Sequence, residues 1–400
     1  MKKIAIVFSF ILSVIPFLRA AEVYQIPNSD MEQWETVGEG VEPVGWNTYA
    51  SAGGSLGSMV QSFAQCSKST EVRSGATGKY SAAVKARKVL LSIVANGMIT
   101  TGLIEGNSTT ASSSENHNIT KRGSYDCPFT GRPDSVTAWV KTAPKSTSQM
   151  ARFFFDFHGN YDTQDPWISE TAGQVVAVAG TNIAYNKNWQ RVSVPVYYKG
   201  ETLTIASSNE SKTPQCADER PSYCLASIAT NYEAGKGDGS DVLYIDDIAM
   251  VYNSKLSSLK VNGVSVSGFN RDKYEYSVDV KYSDATVSYA SDGKFATVSE
   301  NYDADTGILT LTVKGDDYSE TSNMHAYKIQ FKAGCSLDLS DLKVNGKTIS
   351  GFNPTVYSYT LDDVYANSTV TYSASECAAT SEDWNASANT LKITLSSDGV

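Results

Sequence analysis

Apolar and polar residues alternate in short runs along most of the chain. "SVTAWVKT", "ARFFFDFHG", "WQRVSVPVYY" and "VLYIDDIAMVY" carry this pattern and are rich in Val, Ile, Tyr and Phe. A period of two with such residues is the mark of strands that bury one face. Ser-, Gly- and Asn-rich stretches separate the runs, and no long amphipathic helical pattern appears. "KVLLSIVANGMIT" fits either period, but its β-branched residues favour strand. The pattern predicts an all-β chain, with a jelly-roll β-sandwich over residues 22–252.

A repeat follows. "LSSLKVNGVSVSGFNRDKYEYSVDV" begins at Leu256, and "LSDLKVNGKTISGFNPTVYSYTLDDV" begins 83 positions later at Leu339. Each copy carries an Asn-Gly hairpin signal, Asn262-Gly263 and Asn345-Gly346. Leu259, Val261, Phe269, Tyr274 and Tyr276 are expected to face inward. The period and alternation predict tandem immunoglobulin-like β-sandwiches at 253–333 and 334–400. The second copy has no counterpart of "AYKIQFKAG", so a last strand beyond residue 400 is expected. Through "LKVNG…SGFN…Y.Y" the repeats resemble cadherin-like or bacterial immunoglobulin-like domains, which implies a spacer role.

The first 21 residues read as a signal peptide. A basic "MKK" precedes the apolar "IAIVFSFILSVIPFL" and small residues, with cleavage expected after Ala20 or Ala21. The mature chain would be exported to the periplasm, the cell surface or the medium, with no transmembrane segment. Lys and Arg number 33 against 43 Asp and Glu, and this acidic balance argues against nucleic acid as a partner. Six cysteines, Cys66, Cys127, Cys216, Cys224, Cys335 and Cys377, are expected to pair in an oxidising compartment. Cys216–Cys224, Cys66–Cys127 and Cys335–Cys377 are the pairings considered, and their spacing leaves the connectivity open.

Candidate chemistry gathers in two places. The opening "IPNSDMEQWE" offers Asn28, Asp30 and Glu32, and the last strand of the first domain, "YIDDIAMVY", offers Asp246 and Asp247. Strict alternation would set Ile245 and Asp247 on one face and Asp246 and Ile248 on the other, so one acid must point inward. If the opening stretch is the first strand and neighbours the last, with Trp34 and Trp46 behind it, the acids meet. These oxygen donors would suit a structural Ca2+, with a carboxylate pair or cap as the alternative. The loop "DFHGNYDTQDPWISE" holds His158, Asn160, Tyr161, Asp162, Asp165 and Trp167, and Tyr198 stands beyond it. An aromatic face with planar polar groups can recognise a sugar ring. An anchored loop with Asx turns accounts for the same residues. Trp139 and Trp189 are expected in the core.

"NSDMEQW…PVGW", "MITTGLI", "RPDSVTAWVKT", "NWQRVSVPVYY" and "GDGSDVLYIDDIAMVY" resemble the Bacteroidetes PCMD family, a carbohydrate-metabolism domain with a galactose-binding-like jelly roll. Met31 stands where many relatives have Phe, and the first cysteine is Cys66, so a lipid anchor is not indicated. The resemblance implies an exported, glycan-related, non-catalytic module. The alternatives are an adhesin-like scaffold presenting a distal C-terminal part, and a secreted glycoside hydrolase or lyase using His158 with a nearby acid.

Overall fold

The computed structural model describes residues 22–62, 65–89, 93–143, 149–218, 220–319, 322–332, 337–362, 367–375 and 378–397. The signal-peptide expectation, Cys335 and Cys377 lie outside these residues. The protein is all-β: strands take 48% and helices 4%, and the α-helices among the described residues are Gly57–Gln61 and Ser169–Ala172. Neither is long and apolar enough to cross a membrane. The chain divides into two units. The first ends at Asn253 and also takes in residues 293–296 and 315–323; the rest of the chain forms the second.

Ten strands build the sandwich of the first unit: β1 (Cys66–Ser69), β2 (Ser81–Lys85), β3 (Met98–Thr100), β4 (Ser135–Ala143), β5 (Met150–His158), β6 (Val175–Ala184), β7 (Gln190–Pro195), β8 (Tyr197–Tyr198), β9 (Tyr223–Ala229) and β10 (Val242–Val251). They form two five-stranded antiparallel sheets, in the orders β7-β4-β10-β2-β1 and β8-β6-β5-β9-β3. Val136, Ala138 and Val140 of β4, Val84 of β2 and Leu243 and Ile245 of β10 meet Phe153, Phe155 and Phe157 of β5 and Ala226 and Ile228 of β9 in one buried cluster. Alternation turns Phe154 to the other face of β5, where it packs with Val178, Leu203 and Ile205. Gly180 lies against this ring: a Cβ there would sit 2.4 Å from Phe154 Cδ2.

Two expectations for the ends of this unit are corrected. The opening segment is not a strand of the sandwich; it is a turn-rich stretch lying along β10, with Gln25 bonding both the N–H and C=O of Met250 and Ser29 O accepting from Ile248 N. Asn28 and Met31 in this stretch have positive φ, which breaks strand geometry. Trp46 is buried behind it and Trp34 packs at the edge of the core. Strict alternation in β10 also fails. The register against β4 shifts between Thr137 and Trp139, and Asp247 has φ 48°. This bulge adds one residue, so Ile245 and Ile248 both reach the core while Asp246 is buried as well. Trp139 and Trp189 stay outside the buried core, Trp139 with the Arg73 guanidinium 4.9 Å from its ring centre.

The second unit shows the repeat at the level of single hydrogen bonds. Asn262 and Gly263, and again Asn345 and Gly346, have positive φ, as a type I′ turn requires. Asn262 Oδ1 accepts from Thr286 N at 2.7 Å, and Asn345 Oδ1 from Thr369 N at 2.9 Å. The Tyr276 hydroxyl bonds both backbone groups of Asn270, and Tyr359 repeats this on Asn353. Leu259, Val261 and Tyr276 are buried, while Phe269 and Tyr274 are half-buried. The first copy has sheets of three and four strands, closed by a parallel pairing of Glu275–Val278 with Ser322–Phe331. The second has a three-stranded sheet and the hairpin of Ala378–Asn385 with Thr390–Ser397. Tyr357 is 82% exposed.

Gly180→Ala should destabilise the first unit by about 1–3 kcal/mol, because the buried Phe154 ring must leave its rotamer or shift the strand. Urea denaturation checks this; an unchanged midpoint would contradict it.

Candidate ligand-binding cavity

The chemistry of the first unit collects on the outer face of the second sheet. On β5 the positions between the inward phenylalanines are Arg152, Phe154, Asp156 and His158, and all lie under cover. A buried guanidinium requires counter-charge. Arg152 obtains it from two elements. Its Nη2 donates to Asp165 Oδ1 at 2.9 Å, and its Nη1 to Glu210 Oε2 at 2.8 Å. Burial acts against the charge on Arg152, but the carboxylates of Asp165 and Glu210 overcome it and hold its pKa above the ordinary value. Glu210 is held below the ordinary carboxylate value: burial opposes this, and Arg152 outweighs it.

Asp165 arrives through a small sheet in which Gln164–Asp165 pairs with His117–Ile119, which pairs with Leu103–Glu105. The register sets Asp165 opposite Asn118 and Asn118 opposite Ile104. This sheet, the ribbon of Arg87–Val89 with Ile93–Ala95, and the segment 231–235 wall a cavity of about 430 Å³. Tyr49, Val60, Met98, Ile104 and Ala229 supply apolar lining, and Arg152, Asp165, Glu210, Glu105, His117, Asn118 and Asn96 the polar groups. Three polar atoms of these wall residues have no hydrogen-bond partner: Asn96 Oδ1, His117 Nδ1 and Asn118 Oδ1. Asn96 Nδ2 donates to the carbonyls of Asn231 and Glu233 at 3.1 and 2.9 Å, which fixes Oδ1 as the free acceptor. Asn118 Nδ2 donates to Ser227 Oγ at 3.0 Å. His117 Nε2 stands 3.3 Å from Glu105, whose other oxygen pairs with Lys121.

The loop Asp156–Glu170 is placed differently from a single sugar platform. His158 is fully buried: its Nδ1 donates to Gly159 O and its Nε2 accepts from the Thr120 hydroxyl, both at 2.9 Å. Its ring stacks on Tyr223. Asn160 and Asp162 both hold Arg122, with Asp162 Oδ1 at 2.8 Å from its Nε and Asn160 O at 2.9 Å from its Nη1. Tyr161 beside them is 49% exposed. Trp167 packs against the Phe154 cluster, donates from Nε1 to Asp156 Oδ1 at 2.8 Å and carries Lys212 over its ring. Burial, and then the negative charge of Asp165, push the Asp156 carboxyl well above its usual range. Tyr198 is not with them: it lies in the sandwich core and donates to Pro133 O at 2.7 Å. The loop thus delivers Asp165 to the cavity, holds Asn160 and Asp162 on Arg122, and anchors itself through Trp167. Arg152, Asn96, His117 and Asn118 were not singled out by sequence reasoning. Only Arg152 carried a signal, as a charge at every-other-residue spacing with Asp156 and His158 in "ARFFFDFHG".

The acids of the opening segment and of β10 do come near one another. Burial, then the charges of Asp247 and Glu32, raise the Asp246 carboxyl to about 7. Several of these donors are already engaged by the protein. Glu32 Oε1 accepts from Lys79 N and Tyr80 N, Asn28 Oδ1 accepts from Gln33 N, and Asp30 is exposed. Asp247 Oδ2 is held by Arg73 at 2.9 and 2.8 Å. Among the described residues no three His, Cys, Asp or Glu side chains are grouped to hold a metal. In this structure no disulfide joins the four described cysteines, Cys66, Cys127, Cys216 and Cys224, so neither Cys66–Cys127 nor Cys216–Cys224 is formed. Cys66 lies on β1 opposite Val84, while Cys224 N donates to Cys127 O.

No protein-family model matches the chain, and no curated protein matches it.

Burial lowers the His158 pKa from 6.5 to about 4. The unfolded chain therefore takes up this proton first, and the stability held by neutral His158 is complete above about pH 6.5 and lost as pH falls towards 4. Compared with His158→Gln, the wild type should lose roughly 3 kcal/mol more across that window. Urea denaturation at several pH values measures it; parallel stability profiles would contradict it.

Proposed function

We propose that residues 22–252 form an exported, non-catalytic glycan-binding module of a bacterial surface or periplasmic protein, and that the ligand occupies the cavity beside Arg152. The carrying observation is the cavity wall. It combines apolar and aromatic lining, from Tyr49 and Met98, with the amide and imidazole side chains of Asn96, Asn118 and His117. Sugars present C–H faces and hydroxyls that match such a mixture. The ion group argues for binding over turnover. Asp165 and Glu210 are both committed to Arg152, which leaves neither carboxyl free for the acid and base roles of glycoside hydrolysis. The tandem repeats, built from recurring hydrogen bonds, suit a spacer between this module and its attachment.

A glycan array and polysaccharide pull-down of the full chain test the reading. Saturable binding should appear, weaken about tenfold in Asn118→Ala, which removes both a wall acceptor and its amide, and persist in Tyr161→Ala. No binding by folded protein would overturn the function. Loss in Tyr161→Ala with retention in Asn118→Ala would move the site to the loop around Arg122.

A further inference from the structure

We infer that Cys127 and Cys224 are a disulfide pair, a pairing different from both that sequence spacing suggested for these residues. Pro128 and Tyr223 form an antiparallel bridge. The flanking bonds, Phe129 N to Ser222 O at 3.0 Å and Cys224 N to Cys127 O at 2.9 Å, extend the register by one residue on each side. Cys127 and Cys224 are therefore directly opposed. Opposed residues of an antiparallel pair project to the same face, with Cα atoms roughly 4.5–5.5 Å apart. That separation falls within the range a disulfide spans. The side chains agree with the backbone, since both cysteines belong to the cluster between the two sheets and are 2% and 1% exposed. The other described cysteines have other neighbours: Cys66 faces Val84 across the β1–β2 ladder, and Cys216 N donates to Val175 O.

Burial pushes the Cys127 thiol up to about 12 and raises Cys224 as well, with Cys127 adding to the effect. The thiolate is the reactive species, so the bond must form before the sandwich closes over the pair. The oxidant is a small or protein-borne disulfide. With glutathione disulfide, the two thiols give up two protons and two electrons, the sulfurs join, and two glutathione thiols leave. The bridge ties the segment before Phe129 to the start of β9, beside Tyr223 and the covered His158.

The test is oxidative refolding of the reduced, denatured full chain in a glutathione redox buffer. Acid quenching, alkylation and non-reducing peptide mapping follow. The inference expects a linked peptide containing Cys127 and Cys224, and a melting temperature of the first unit about 5–10 °C higher than after refolding with reductant. The double variant C127A/C224A should show no such difference. Linkage of Cys216 to Cys224 or of Cys66 to Cys127, or full alkylation of Cys127 and Cys224 in refolded protein, would overturn it, and the mapping does so even if the variant fails to fold.

Discussion

A guanidinium placed under cover on the outer face of a sheet dictates much of the first unit. Arg152 stands on β5 among phenylalanines, and its side chain is only 15% exposed. Left without partners, such a charge costs several kcal/mol, and removing one partner of a buried pair costs about 3–5 kcal/mol. The chain answers with a carboxylate from each of two separate elements, Asp165 from the long loop after β5 and Glu210 from the hairpin of Leu203–Ile205 with Glu210–Lys212. Each delivery brings covering structure with it. Asp165 carries the strand that pairs with His117–Ile119, and the hairpin carries Leu203 and Ile205 onto Phe154 and Val178. Arg152, Asp165 and Glu210 line one part of the cavity.

The same face separates support from recognition. Asp156 and Trp167 hold each other, and His158 is saturated by Thr120 and Gly159. These groups look chemical in the sequence and are structural in the fold. The amides of Asn96 and Asn118 and the imidazole of His117 are the reverse: they sit in unremarkable polar sequence and line the cavity.

This contrast explains how far the sequence could be read. Period-two alternation and the Asn-Gly turns depend on local backbone geometry, so the all-β class and the two copies of the repeat were legible down to the turns at Asn262 and Asn345 and the inward Tyr276. The bulge at Asp247 was not, because it depends on the register against Thr137 and Trp139, more than a hundred residues earlier. For the same reason the opening stretch read as a strand, although it meets β10 through the Gln25 side chain and a single backbone bond from Ile248 N to Ser29 O. Of the cavity, only the β5 face was written in one run of sequence. Asn96, Asn118 and Asp165 come together through ladders between distant segments, and no local pattern marks them.

The most direct measurement is a nuclear magnetic resonance titration of the first unit's signals in the full chain with an oligosaccharide from the screen. Binding in the cavity predicts saturable shifts in the side-chain amides of Asn96 and Asn118, the His117 ring and the backbone of Asp165. Shifts confined to Asn160, Tyr161 and Asp162, or none with any sugar, would contradict the assignment of the cavity as the ligand site.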